Sequence, residues 1–240
     1  MNEFLPINLP SRCKLYEGVE PGGVSIRAYQ GQDEILLAQI NPVNLERNYL
    51  AILRGLIRGV RPELLTLGDR LHIIIWECIN SYTDIIKLQT ICPSCVKEVE
   101  ISVDLKELDT QYLQEDFEQP YEVELPVSGE KVALRLLTVA DDVEFEKYNQ
   151  THDDGMLYRY ARTIVTEQNI LQVLERMKHM AAKDILRIMA FHDKFYHGPI
   201  MEASFVCPKC GVEGRTDVPF QYDFLFPDGS SIEESYGKGI

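Results

Sequence analysis

"TICPSCVKEVEISVD" runs from Thr90 to Asp104, and a second Cys-Pro-x-Cys turn follows in "SFVCPKCGVEGRTDVPF", Ser204 to Phe220. Of six cysteines, four lie in these two turns: Cys92, Cys95, Cys207 and Cys210. Residues on either side of each turn alternate apolar and polar, as a half-buried strand does. A Cys-x-x-Cys corner between strands sets two sulfurs on one side, where backbone amides disperse their charge. One corner supplies two ligands and tetrahedral zinc takes four, so two facing corners complete a site. The spacing is long, with 111 residues between Cys95 and Cys207. Two unrelated reduced pairs, or a redox pair, are the competing readings. Matching surroundings and the shared proline favour a discontinuous zinc ribbon whose insert folds by itself. We therefore expect one structural Zn2+ on Cys92, Cys95, Cys207 and Cys210. Four thiolates leave no position for water, so this metal does not serve catalysis. Gly211, directly after the second pair, suits the left-handed bend of such a corner.

Outward from the turns, the periodicity predicts an α+β chain. It combines a small antiparallel β portion carrying the ribbon, an N-terminal helical region and a mostly helical insertion. The expected boundaries are an extended arm at 1–23, punctuated by Pro6, Pro10, Pro21, Gly22 and Gly23, and a strand and helical region at 24–82. A β region with the first knuckle follows at 83–137, and the helical insertion at 138–200. The second knuckle and its strands occupy 201–226, and a polar, mobile tail 227–240. "VSIRAY" (Val24 to Tyr29) reads as a strand, and Asn41-Pro42 as the start of a helix reaching about Gly59. Thr66 with Asp69, and Thr138 with Asp141, have capping-box spacing. Cys78 lies on an apolar helix face and reads as a small core residue, and Cys13, with no partner at metal spacing, as a structural or incidental thiol.

Hydrophobic residues make up 45% and charged residues 26% of the 240, enough to bury a core without disulfides. The net charge of −14 repels phosphate backbones, so nucleic acid is an unfavourable partner. The basic stretch with Arg47, Arg54, Arg58 and Arg61 reads as the solvated face of an amphipathic helix. No run of about 20 apolar residues would cross a membrane, and "LHIIIWECI" is too short. The N-terminus lacks a signal-peptide pattern, which predicts a chain kept in a reducing cytoplasm. His192 and His197 are five apart rather than four, and His72 and His179 lie in helical patterns, so none makes a better metal set. No catalytic motif occurs, and no enzyme activity is expected.

Several segments together resemble the baseplate hub assembly protein family of contractile-tailed, T-even-like bacteriophages. They are "LPSRCKLYEG" (Leu9 to Gly18), "VSIRAY", "LTLGDRLHIII" (Leu65 to Ile75), "ICPSCVKEVEISVDL" (Ile91 to Leu105) and "YEVELP…KVALRLL" (Tyr121 to Leu137). The resemblance covers roughly residues 9 to 150 and the second Cys turn. Cys13 stands where the pattern leads one to expect glycine. The resemblance implies a protein that builds, or sits in, the tail baseplate hub. Its partners would then be other hub or tail proteins, and its place the host cytoplasm during assembly or the virion baseplate. A zinc-ribbon adaptor for nucleic acid or transcription is the alternative. Phe220, Tyr222, Phe224 and Phe226 alternate, so on a strand they share one side. Such a stripe either closes the protein's own core or docks on another hub protein.

Overall fold

The computed structural model describes residues 3–219. The aromatic residues Phe220, Tyr222, Phe224 and Phe226 and the tail expected at 227–240 lie outside the described residues. Three two-residue strands, β1 (Leu5–Pro6), β2 (Ser25–Ile26) and β3 (Ile57–Arg58), pair antiparallel in that order. Between β2 and β3 lie α1 (Gly31–Leu37) and α2 (Leu45–Leu56). The strand expected over 24–29 is thus reduced to Ser25–Ile26. α2 starts at Leu45 rather than at Pro42, because Asn41 and Asn44 cap each other's loop. The Asn44 Oδ1 accepts the Asn41 amide at 2.8 Å, and Asn41 Oδ1 accepts the Val43 amide at 2.9 Å. α2 ends before Gly59 because Ile57 and Arg58 are taken up by the sheet. Its buried face holds Tyr49, Leu50, Ile52, Leu53 and Leu56, while Arg47, Arg54, Arg58 and Arg61 face solvent.

The first 23 residues were expected as an extended arm, but the described part is β1 followed by turns that pack four apolar side chains into the core. Ile7, Leu9, Cys13 and Tyr16 are each at most 4% exposed. Burying large apolar side chains contributes about 1.5–3 kcal/mol each, which holds this segment down. Cys13 has φ +58°, the left-handed conformation that glycine adopts most easily.

α3 (Leu67–Ser81) follows, then β4 (Ile85–Ile91) and β5 (Glu98–Asp104), a seven-pair hairpin with the first cysteine turn at its tip. β5 buries Val99, Ile101 and Val103 and exposes the alternate residues, as its sequence pattern requires. β6 (Thr110–Gln111) leads to the hairpin β7 (Tyr121–Glu124) and β8 (Lys131–Leu134). Four helices come next: α4 (Val139–Asn149), α5 (Gly155–Ala161), α6 (Ile170–Lys178) and α7 (Ala182–Lys194). β9 (Gly198–Pro199) then pairs with β6, and β10 (Glu202–Val206) with β11 (Glu213–Asp217), which flank the second cysteine turn.

Two apolar cores result. The first joins the N-terminal segment, α1 to α3, β5 and Phe205 of β10, and reaches Cys92 and Cys207. The second joins Val123, Leu125, Val132 and Leu134 of the β7–β8 hairpin to Tyr158, Val173, Leu174, Met177, Ile188 and Phe191 of α5 to α7. The unit between the knuckles is therefore a hairpin with helices, wider than a purely helical insertion at 138–200. The hairpin has one apolar face, and α5 to α7 are what covers it. Asp141 and Asp142 of α4 tie the two cores: Asp141 is paired to Arg135 and Arg162, and Asp142 to Arg159 and, at 3.2 Å, to Arg70 of α3.

Candidate metal centre

The two cysteine turns share one local hydrogen-bond plan. The Cys92 amide donates to the Lys97 carbonyl at 3.0 Å, and the Val96 amide to the Cys92 carbonyl at 2.9 Å. In the second turn the Cys207 amide donates to the Val212 carbonyl and the Gly211 amide to the Cys207 carbonyl, both at 2.9 Å. The residue four past the first cysteine is left-handed in both: Val96 at φ +54° and Gly211 at φ +72°. Glycine adopts this conformation without a Cβ penalty, whereas a β-branched residue is strained there. Val96 is 76% exposed, so its side chain gives little packing in return. Val96→Gly should therefore raise stability by about 1 kcal/mol. Denaturant unfolding of the metal-loaded protein checks this, and an unchanged midpoint would mean that the corner relaxes around valine at no cost.

The fold brings the turns face to face. Cys92 Sγ lies 3.7 Å from Cys210 Sγ, and Cys95 Sγ lies 3.9 Å from Cys207 Sγ. All four sulfurs are within 4.8 Å of one another. Zn–S bonds of about 2.3 Å place tetrahedral sulfurs roughly 3.7 Å apart, so this spacing fits a four-thiolate ion site. Contacts between the hairpins hold the register. Thr90 Oγ1 and Thr216 Oγ1 are 2.9 Å apart, and Lys209 Nζ donates to the Glu98 carbonyl at 2.7 Å. Cys92 and Cys207 are buried, Cys95 is half-buried and Cys210 exposed.

Amides and neighbouring sulfurs move the Cys92 and Cys210 thiols in opposite directions. Amides of Cys95 and, after burial opposes it, of Ser94 pull the Cys92 thiol down to about 6. Cys210 receives the Val212 amide, yet burial and the neighbouring sulfurs push it up to about 11. Sulfurs this close repel one another when ionised, so a fully ionised set requires a positive ion among them. Among the described residues this is the group of His, Cys, Asp or Glu arranged to hold a metal. The two remaining cysteines stand apart: Cys78 is a buried thiol donating to the Thr83 carbonyl, and Cys13 is buried in the N-terminal segment. The histidines are scattered. His179 is exposed beside Glu175, His72 is half-buried and held low by burial, and His192 and His197 lie near the seam between the cores.

A second constellation is built on Asp69, which is fully buried. Thr66 caps α3 by accepting the Asp69 amide at 3.4 Å. The reciprocal half of the expected capping box is not made, because the Asp69 carboxylate turns to the N-terminal segment. It accepts the Ser11 amide at 2.8 Å and the Tyr16 hydroxyl. Burial, with Asp69 beside it, raises the Tyr16 hydroxyl well above its usual range, so it stays a donor. Tyr16 Oη in turn accepts the Thr66 amide at 3.0 Å. His197 Nδ1 donates to the Phe195 carbonyl at 3.0 Å, which leaves Nε2 to accept the Thr66 hydroxyl at 2.6 Å. Gly68 completes the junction: a Cβ there would lie 1.6 Å from the His197 carbonyl oxygen. "LPSRCKLYEG" and "LTLGD" thus meet in space. Sequence reading did not pair them. The signal available to it was a Ser, a Tyr, a Thr and an Asp inside otherwise apolar or turn segments.

A family model described as T4 bacteriophage base plate protein matches residues 9–225, which include both cysteine turns. Searches of curated proteins and of solved structures returned no match.

Proposed function

Because this chain belongs to the T4 bacteriophage base plate protein family, we propose that it is a non-enzymatic component or assembly factor of the baseplate hub, stabilised by one structural Zn2+. The family match over 9–225 carries the baseplate role and the association with other tail proteins. The hub assignment is supported by the ordered segments from "LPSRC" to "KVALRLL". Zinc is supported by the four clustered sulfurs of Cys92, Cys95, Cys207 and Cys210. With all four positions taken by thiolates, the ion acts as a cross-link between two hairpins. The chain would act in the host cytoplasm during assembly or in the virion baseplate. No described helix is long and apolar enough to cross a membrane.

The adaptor reading finds less support. Of the arginines in its candidate patch, Arg54 is paired with Glu63 at 2.6 Å and Arg58 lies 3.8 Å over the Phe4 ring. The net charge is −14 before any thiolate is counted. The test is recovery of the tagged protein from infected cells, with identification of what accompanies it. Baseplate proteins in stable amounts support the hub reading. Salt-sensitive retention of nucleic acid without tail proteins would replace it with the adaptor reading.

The partner surface we propose is the aromatic run Phe220, Tyr222, Phe224 and Phe226. Aromatic anchors often dominate interfaces, and each buried ring contributes roughly 2 kcal/mol. Changing Phe224 and Phe226 together to serine should abolish partner capture while leaving thermal unfolding of the isolated protein unchanged. A large fall in that protein's own stability would instead place the run in its core.

A further inference from the structure

Arg27 after β2, Asp33 of α1 and Glu77 of α3 are enclosed in one cluster, at 4%, 3% and 0% exposure. Arg27 is committed to Asp33: Nη1 donates to Oδ2 at 2.6 Å and Nη2 to Oδ1 at 3.1 Å. Asp33 also accepts the Gln30 amide at 2.9 Å, and Arg27 Nη1 also donates to the Ala28 carbonyl at 3.0 Å. Glu77 has no such set of partners. Its Oε2 accepts the Ser81 hydroxyl at 3.2 Å, while Oε1 is buried without a hydrogen-bond partner among the described residues. One guanidinium cannot balance two enclosed carboxylates, and a buried anion with a bare oxygen is costly. The charge therefore stays on Asp33, and a proton belongs on Glu77. The hydroxyls of Tyr29 and of Tyr49 on α2, which feel the Glu77 carboxyl, are also buried without a partner among the described residues and bring no charge.

The surroundings of Glu77 tie α1 to the end of α3. The Ser81 hydroxyl oxygen that donates to Glu77 accepts the Tyr29 amide at 3.0 Å, just before α1. The Tyr29 ring packs on Tyr82, with centroids 5.7 Å apart, and the Tyr82 hydroxyl donates to Glu34 of α1. We propose that Glu77 is a proton-operated latch: as the neutral acid it lets α1 seat on α3, and its ionisation loosens that seat. Once ionised, the carboxylate demands donors that the cluster lacks, so the entry to α1 must open to admit water. Burial comes first in setting this proton, and it lifts Glu77 to about 8; the Ser81 hydroxyl and Arg27 oppose it, and Asp33 adds to it. In the unfolded chain the same carboxyl ionises near the usual value of about 4.3. Between these values the folded chain holds one more proton than the unfolded one. The stability from this group is thus fully present below the usual carboxylate range and is lost as pH rises through about 8. The Cys78 thiol, at about 11, and the Tyr29, Tyr49 and Tyr82 hydroxyls, all raised by burial, stay neutral in that window.

The test compares the full, metal-loaded chain with Glu77→Gln, which keeps the shape and removes the titration, so that the pH dependence shared by both chains cancels. Relative to the native chain, the glutamine variant should gain about tenfold in its folding equilibrium for each pH unit between roughly 6 and 8, and then level off. Amide exchange in α1, compared between the two chains at each pH, should accelerate in the native chain alone as pH passes about 8. On the unaltered chain, the Glu77 side-chain carboxyl carbon should titrate near that same pH by NMR. Parallel stability profiles, a carboxyl that titrates in the usual range, or α1 exchange that follows the same course in both chains overturns the proposal. Should the glutamine variant fail to fold, the carboxyl titration and the α1 exchange of the unaltered chain decide: the two must share one midpoint.

Discussion

Changing either Cys92 or Cys207 to serine should release the metal and lower stability by at least about 4 kcal/mol, the range of a lost structural metal site. These two are the inner cysteines of the cluster, each 1% exposed, and each belongs to the first apolar core. A serine hydroxyl is a poor zinc ligand, and the three sulfurs left behind would repel one another or protonate. Apart from the metal, the β10–β11 hairpin is held by Ala203, Phe205 and the adjoining Val218 in the first core, the Thr90–Thr216 contact and the Lys209 bond to Glu98. Loss should thus begin as local opening of the ribbon. Metal content per chain and denaturant unfolding with and without chelator measure both halves of the expectation. Chelated native protein should behave like the variants, whereas Cys13→Ser and Cys78→Ser should keep their metal. A native protein that carries no zinc, or two serine variants that retain it, would end the ribbon reading.

The second large effect is expected at Asp69. Asp69→Ala should cost about 3 kcal/mol, because it strands the buried Ser11 amide and the Tyr16 hydroxyl at once. It also removes the only carboxylate joining the N-terminal segment to the start of α3 among the described residues. Tyr16→Phe should cost less, since the Ser11 bond survives. The double variant should lose less than the two single losses together, as residues of one network do. Equilibrium unfolding gives all three values. A loss below about 1 kcal/mol for Asp69→Ala would show that water replaces the carboxylate and that the segment is held by apolar burial alone.

A baseplate protein meets other proteins, and its surfaces must be set in fixed relation to one another. Asp69, Gly68 and His197 lock the N-terminal segment, α3 and the chain returning from α7 at one point. Asp142, shared by Arg70 and Arg159, does the same for the seam between the cores.

By itself the sequence determined what depends on near neighbours. Alternation around residues 85–104 and 202–217 marked the hairpins, and the two Cys-Pro-x-Cys turns marked their tips. Thr66 and Thr138 marked the starts of α3 and α4. Such signals act within a few residues, where backbone sterics and local hydrogen bonds leave few choices. The meeting of the four cysteines was legible for a related reason: four thiols in two like corners have one chemistry in common, whatever lies between them.

Only the tertiary structure decided the choice of distant partners. The Asp69 spacing suited a capping box, yet its carboxylate went to Ser11 and Tyr16, more than 50 residues away in the chain. Prolines and glycines made residues 1–23 look like a free arm, while Ile7, Leu9 and Tyr16 found an apolar surface to cover. The β7–β8 hairpin could have joined the ribbon, but its apolar face was closed by α5 to α7 instead. In each case the local pattern fits several partners equally well. What selects one is the burial of whole faces and the pairing of every enclosed polar group, which are properties of the assembled core and not of any short segment.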